Sequence, residues 1–179
     1  MKKGILVASG LVVAALGTYL LAGNIQREGA DNQGKTNIRQ LVHDLSAGKA
    51  TAQSASINSS QLIVTGDDTQ TMTYDLPDNE FFLSIAPYME QTHPCATHSL
   101  TGCQGEIKNG EFSVTVHDSE GNVIMENVAM QSQSNGFIDL WLPRDKTYRI
   151  SVNHEGKRAE TEFSTYENND TCITTMQLG

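Results

Sequence analysis

The chain has 179 residues, with 12 basic and 21 acidic side chains and a formal net charge of −9. That length allows one ordinary domain or two small ones. The acidic balance repels phosphate backbones and argues against nucleic acid as a partner.

The chain starts Met1-Lys2-Lys3 and continues with an uncharged apolar run from Gly4 to Gly23. A positive start ahead of such a run is the pattern of an export signal. Leu21-Ala22-Gly23 suits a signal peptidase, although it is not a clean Ala-x-Ala, so residues 1–23 read as a cleaved leader, with an uncleaved membrane anchor as the alternative. A lipoprotein leader would place Cys next, and position 24 is Asn. Either way the remainder, with 10 basic and 21 acidic residues, is expected outside the cytoplasm.

Residues 24–34 are polar and read as a linker. Ile38, Leu41, Val42 and Leu45 then fall on one face of a short helix. Thr36 is placed to cap it, Gly48 to end it, and His43 to lie half-exposed on its flank. Residues 50–60 are small and polar. Leu62 and Val64 alternate, Gly66-Asp67-Asp68 turns the chain, and Met72, Tyr74 and Leu76 alternate again before Pro77-Asp78-Asn79. This helix-plus-hairpin domain, residues 24–79, is too small for a core of its own and needs a packing partner.

Phe81 to Ile85 reads as a buried strand leading into a loop over residues 91–106. From residue 110 the pattern is strand and turn. Phe112, Val114 and Val116 alternate, as do Ile138, Leu140 and Leu142, and then Tyr148, Ile150 and Val152. Cys172, Thr174, Met176 and Leu178 are expected on one face of a last strand. The fold class is therefore α+β, with an antiparallel β-sandwich-like C-terminal domain over residues 80–179.

The three cysteines are Cys95, Cys103 and Cys172. In an oxidising compartment an odd number leaves at least one thiol without an internal partner. Thiolate is a soft ligand that selects Cu(I) and zinc over magnesium and calcium. Three sulfurs suit Cu(I), whereas zinc takes four ligands, and His98 would complete a Cys₃His set. The rival is a Cys95–Cys103 disulfide closing the loop, with Cys172 a buried strand residue. Spacing alone favours the disulfide over a metal site. Met176, about 13 Å along the strand from Cys172, is expected in the core.

Phe82-Leu83-Ser84-Ile85-Ala86-Pro87-Tyr88, followed by Thr92-His93-Pro94-Cys95-x-x-His98-Ser99-Leu100-Thr101-Gly102-Cys103-Gln104-Gly105-Glu106, resembles the CueP family of periplasmic copper-binding proteins. The likeness reverses the preference drawn from spacing. It implies a two-domain fold and a copper site made by Cys95, Cys103 and Cys172. It also implies a part in copper tolerance, supply of copper to a periplasmic Cu/Zn superoxide dismutase, and reduction of Cu(II) to Cu(I). Thiol–disulfide oxidoreductases would keep the cysteines reduced, and a homodimer is an expected assembly. Apart from cupric reduction, no enzymatic activity is implied. An exported thiol–disulfide redox protein and a disulfide-stabilised structural β domain remain the alternatives, although the former lacks Cys-x-x-Cys. Lys108 or a protonated His98 is expected to lower the thiol pKa, and the Ser99–Gly102 amides to donate to the thiolates.

Overall fold

A single helix opens the described chain, which in this computed structural model runs over residues 37–179. The expected leader, the linker and the Thr36 cap lie outside it. Helix α1 spans Ile38–Ser46 and is capped by Asn37, whose side chain accepts from the Gln40 amide at 3.2 Å. It buries Val42 and Leu45 and stops at Gly48, whose φ of +69° lies in the left-handed region that a helix C-terminus favours.

Three strands follow: β1 (Ser54–Ile57), β2 (Gln61–Thr65) and β3 (Thr71–Asp75). The hairpin of β2 and β3 is the expected one. Strand β1 lies in the stretch that reads only as small and polar, because just two of its residues, Ala55 and Ile57, are buried. It pairs with β2 on one side and with β5 (His98–Ser99) on the other, giving a sheet ordered β3-β2-β1-β5. The loop after β4 thus contributes an edge to the N-terminal sheet.

Strand β4 (Glu80–Ile85) is central to a second sheet, between β8 (Ile138–Pro143) and β11 (Cys172–Ile173). Its near-continuous burial explains its apolar run. Phe81, Leu83 and Ile85 face a third sheet, made of β6 (Glu111–Asp118), β7 (Val123–Gln131), β9 (Thr147–His154) and β10 (Lys157–Ser164) in the order β10-β9-β6-β7. There they meet Phe112, Val114, Val116, Tyr148, Ile150 and Val152, the core of the β-sandwich. On the opposite face, Phe82 joins Val42, Leu45, Ile57 and Leu62 in the N-terminal core and meets the Trp141 ring edge-on at 5.2 Å. The middle sheet is therefore covered on both sides. Arg39 ties the helix to it by an ion pair with Glu80.

The last strand is shorter than its alternation suggests. Backbone amides of Ser84 and Ala86 donate to the carbonyls of Thr171 and Ile173, a parallel pairing in even steps of two. The Tyr88 amide donates to Met176, so one extra residue enters on the C-terminal side. A single inserted residue reverses which face a side chain takes. Cys172 consequently packs with Ala86 and Phe137, while Met176 and Leu178 turn into the sandwich core. Met176 is in the core as expected, but the four residues do not share one face.

Phe82 is the side chain through which the middle sheet reaches the N-terminal core. Phe82→Ala is expected to destabilise the protein by about 3–5 kcal/mol, measured as a lowered urea midpoint at unchanged slope.

Candidate metal centre

The loop between β4 and β6 is laid against the C-terminal segment in antiparallel fashion. The Thr92 hydroxyl donates to the Thr174 carbonyl, and the Thr171 amide donates to the Ala96 carbonyl at 2.9 Å. This register sets Cys95 directly opposite Cys172. Their Cα atoms are 5.6 Å apart and their sulfurs are joined as a disulfide, within the span such a bond needs. The alternative pairing, Cys95 with Cys103, is therefore not the one formed. Cys103 keeps its thiol, half-buried, with its sulfur 3.5 Å from that of Cys95.

His98 arrives on β5, whose pairing with Ile57 of β1 fixes its backbone. Its Nδ1 lies 3.5 Å from the Cys172 sulfur. The ring is fully buried, with Phe137 at 4.5 Å and Phe82 at 6.2 Å between centroids. One donor atom from each of Cys95, His98, Cys103 and Cys172 can be chosen so that all four lie within 4.8 Å of one another. All four residues singled out from the sequence thus come together, from two stretches of chain far apart in sequence.

The electrostatics differ from expectation in two respects. Burial, with a smaller contribution from His93, lowers the His98 pKa to about 4. The imidazole is neutral at physiological pH, so it is a metal-competent base rather than the positive neighbour that would acidify a thiol. Lys108 instead engages the Gln104 side chain at 2.6 Å. The amides of Leu100 and Gly102 also have other partners, the Ala55 carbonyl at 2.9 Å and the Ser99 hydroxyl at 3.0 Å. A neutral imidazole is a metal-competent donor that adds no charge beside the three cysteines.

The loop is held by contacts that its sequence reveals only in part. The Cys103 amide donates to the Ser99 carbonyl at 3.0 Å, a tight turn that points its thiol back toward Cys95. Gly105 is needed for close approach rather than for an unusual φ: a Cβ there would sit 2.4 Å from the Gly136 carbonyl oxygen. That contact brings the loop against Phe137, a residue the sequence did not mark as part of the site. Thr171 was likewise unmarked, although it directly precedes Cys172. A cleft of about 360 Å³ lies beside the Cys95–Cys172 pair, lined by Cys95, Phe163, Asp170 and Cys172 among others. Among the described residues no other group of metal-ligating side chains of this kind occurs.

Gly105→Ala should force the loop off Phe137 and lower stability by about 1–3 kcal/mol, read by thermal unfolding of the metal-free protein. His98 yields a second expectation. Its folded pKa of about 4 lies below the ordinary value of 6.5, so the unfolded chain takes up the proton first as pH falls. Its contribution is intact above about pH 6.5 and is lost progressively down to about pH 4, by about 3 kcal/mol in all. Burial raises the pKa of Asp139, which acts in the opposite sense. The difference in pH dependence between the wild type and His98→Gln isolates the histidine.

Comparison with known proteins agrees with this centre. The family described as periplasmic copper-binding protein CueP matches residues 37–177. A crystal structure described as that of S.CueP is 43% identical, covering 82% of this chain and 91% of its own, with a TM-score of 0.75. No curated protein matches. With a family match over most of its length and a close structural relative, the chain belongs to the CueP family of periplasmic copper-binding proteins.

Proposed function

We propose that this protein binds one copper ion as Cu(I) through Cys95, Cys103 and Cys172, with His98 as a fourth donor. The observation that carries this is the convergence of their donor atoms to within 4.8 Å, from loop, edge strand and C-terminal segment. Soft sulfur donors suit Cu(I). A Cys₃His set also suits zinc, and membership of a copper-binding family favours copper.

The disulfide adds a redox condition. With Cys95 and Cys172 bonded, only Cys103 offers a thiol. Opening the bond takes two electrons and two protons, supplied on this reading by a periplasmic thiol–disulfide oxidoreductase. The dithiol can in turn reduce two Cu(II) to two Cu(I), closing to the disulfide and releasing two protons. Holding copper and reducing it thus draw on the same sulfurs in alternate states. Both roles serve copper tolerance. The half-buried Cys95 and Cys103 are the sulfurs a recipient's ligands would reach first. A periplasmic Cu/Zn superoxide dismutase as recipient, and a homodimer as the assembly, are supported by the family resemblance.

Anaerobic titration of the reduced protein with Cu(I) against a competing chelator tests the reading. One equivalent should bind, each Cys→Ser variant should weaken binding by at least about a hundredfold, and His98→Ala by about 10–100-fold. The disulfide form should take up copper far more weakly, and zinc should compete poorly. Binding that survives all three Cys→Ser substitutions would refute it.

A further inference from the structure

Thr171 stands at the junction of every element that carries a donor atom. It is 1% exposed, and each of its polar groups is used. Its hydroxyl accepts from the His98 amide at 3.2 Å and donates to the Ile57 carbonyl at 2.7 Å. Its amide donates to Ala96, between Cys95 and His98, and its carbonyl accepts from Ser84 of β4, each at 2.9 Å. One residue therefore links β5, β1, the cysteine loop and the middle sheet, immediately before Cys172.

The hydroxyl matters most for His98. No protein hydrogen bond orients the far side of the imidazole, since its Nε2 is buried without a partner. Metal-bound histidines usually have that nitrogen anchored by a carboxylate or carbonyl. Here the ring direction is left to packing against Phe82 and Phe137 and to the position of the backbone beneath it. That backbone is fixed by pairing with Ile57 and by the Thr171 hydroxyl, which bonds to both partners of this pair.

We propose that Thr171 is a positioning residue of the metal centre, its hydroxyl fixing the His98 backbone so that Nδ1 faces the Cys172 sulfur. This rests on the metal-centre reading above. Valine matches threonine in shape but would remove the hydroxyl bridge between the His98 N–H and the Ile57 carbonyl. Serine keeps the hydroxyl.

The test compares Thr171→Val and Thr171→Ser in the full, reduced chain loaded with Cu(I) alone, in wild-type and His98→Ala backgrounds. Copper X-ray absorption should show a histidine nitrogen shell beside sulfur in the wild type. It should be lost in Thr171→Val, with affinity falling about 10–100-fold, and restored in Thr171→Ser. In the His98→Ala background, Thr171→Val should cost no further affinity. Thr171→Ala, which leaves room for a water at the hydroxyl position, serves in the same comparison if the valine variant does not fold. An equal loss in both backgrounds, or a nitrogen shell retained without the hydroxyl, would overturn the inference. A wild-type site with three sulfurs and no nitrogen overturns it too, yet leaves thiolate binding standing. Cysteine-independent binding by the wild type instead overturns the metal-centre reading itself.

Discussion

The pairing of the C-terminal segment on both of its edges is the constraint on which the centre depends. On one edge Thr171 and Ile173 accept from β4 in parallel; on the other, Thr171 and Thr174 meet the loop in antiparallel register. Backbone groups buried in this way need partners, so the segment is held where all of them are met. The same bonds bring together residues 77 positions apart in sequence, Cys95 and Cys172. Closing so long a loop costs entropy that grows only slowly with its length. That cost is offset by the sandwich core, into which Met176 and Leu178 are drawn.

This arrangement would allow both proposed chemistries with little movement. Sulfurs close enough to form a bond are also close enough to share an ion, and the third lies at van der Waals distance from the first. Burial of Cys172 and His98 keeps water from one side, while the half-buried Cys95 and Cys103 leave the other approachable. Desolvation keeps the histidine neutral over the physiological range. A thiolate-rich, partly buried site gains from a ligand that brings no charge of its own. The N-terminal sheet takes part directly: β5 is its edge, and the Ile57 carbonyl reaches the hydroxyl beside Cys172.

The helix face, the β2–β3 hairpin and the long strands of the sandwich are legible in the sequence because their apolar residues recur at a fixed period. Strand β4 is legible for another reason, since burial on both faces leaves it almost wholly apolar. Strands β1 and β5 are not, being too short to show a period. The displaced alternation after Ile173 is also invisible, because an inserted residue leaves no mark in a row of alternating side chains.

Within the centre, the residue types were settled by the sequence: three soft thiols, a nearby imidazole, and a loop motif long enough to mark the family. Which thiols lie opposite each other was decided by tertiary structure, because strand register depends on backbone partners distant along the chain. The neutrality of His98, the roles of Thr171 and Phe137, and the need for glycine at position 105 have the same origin. Each is a property of what surrounds the residue, and those surroundings exist only once three sheets have packed together.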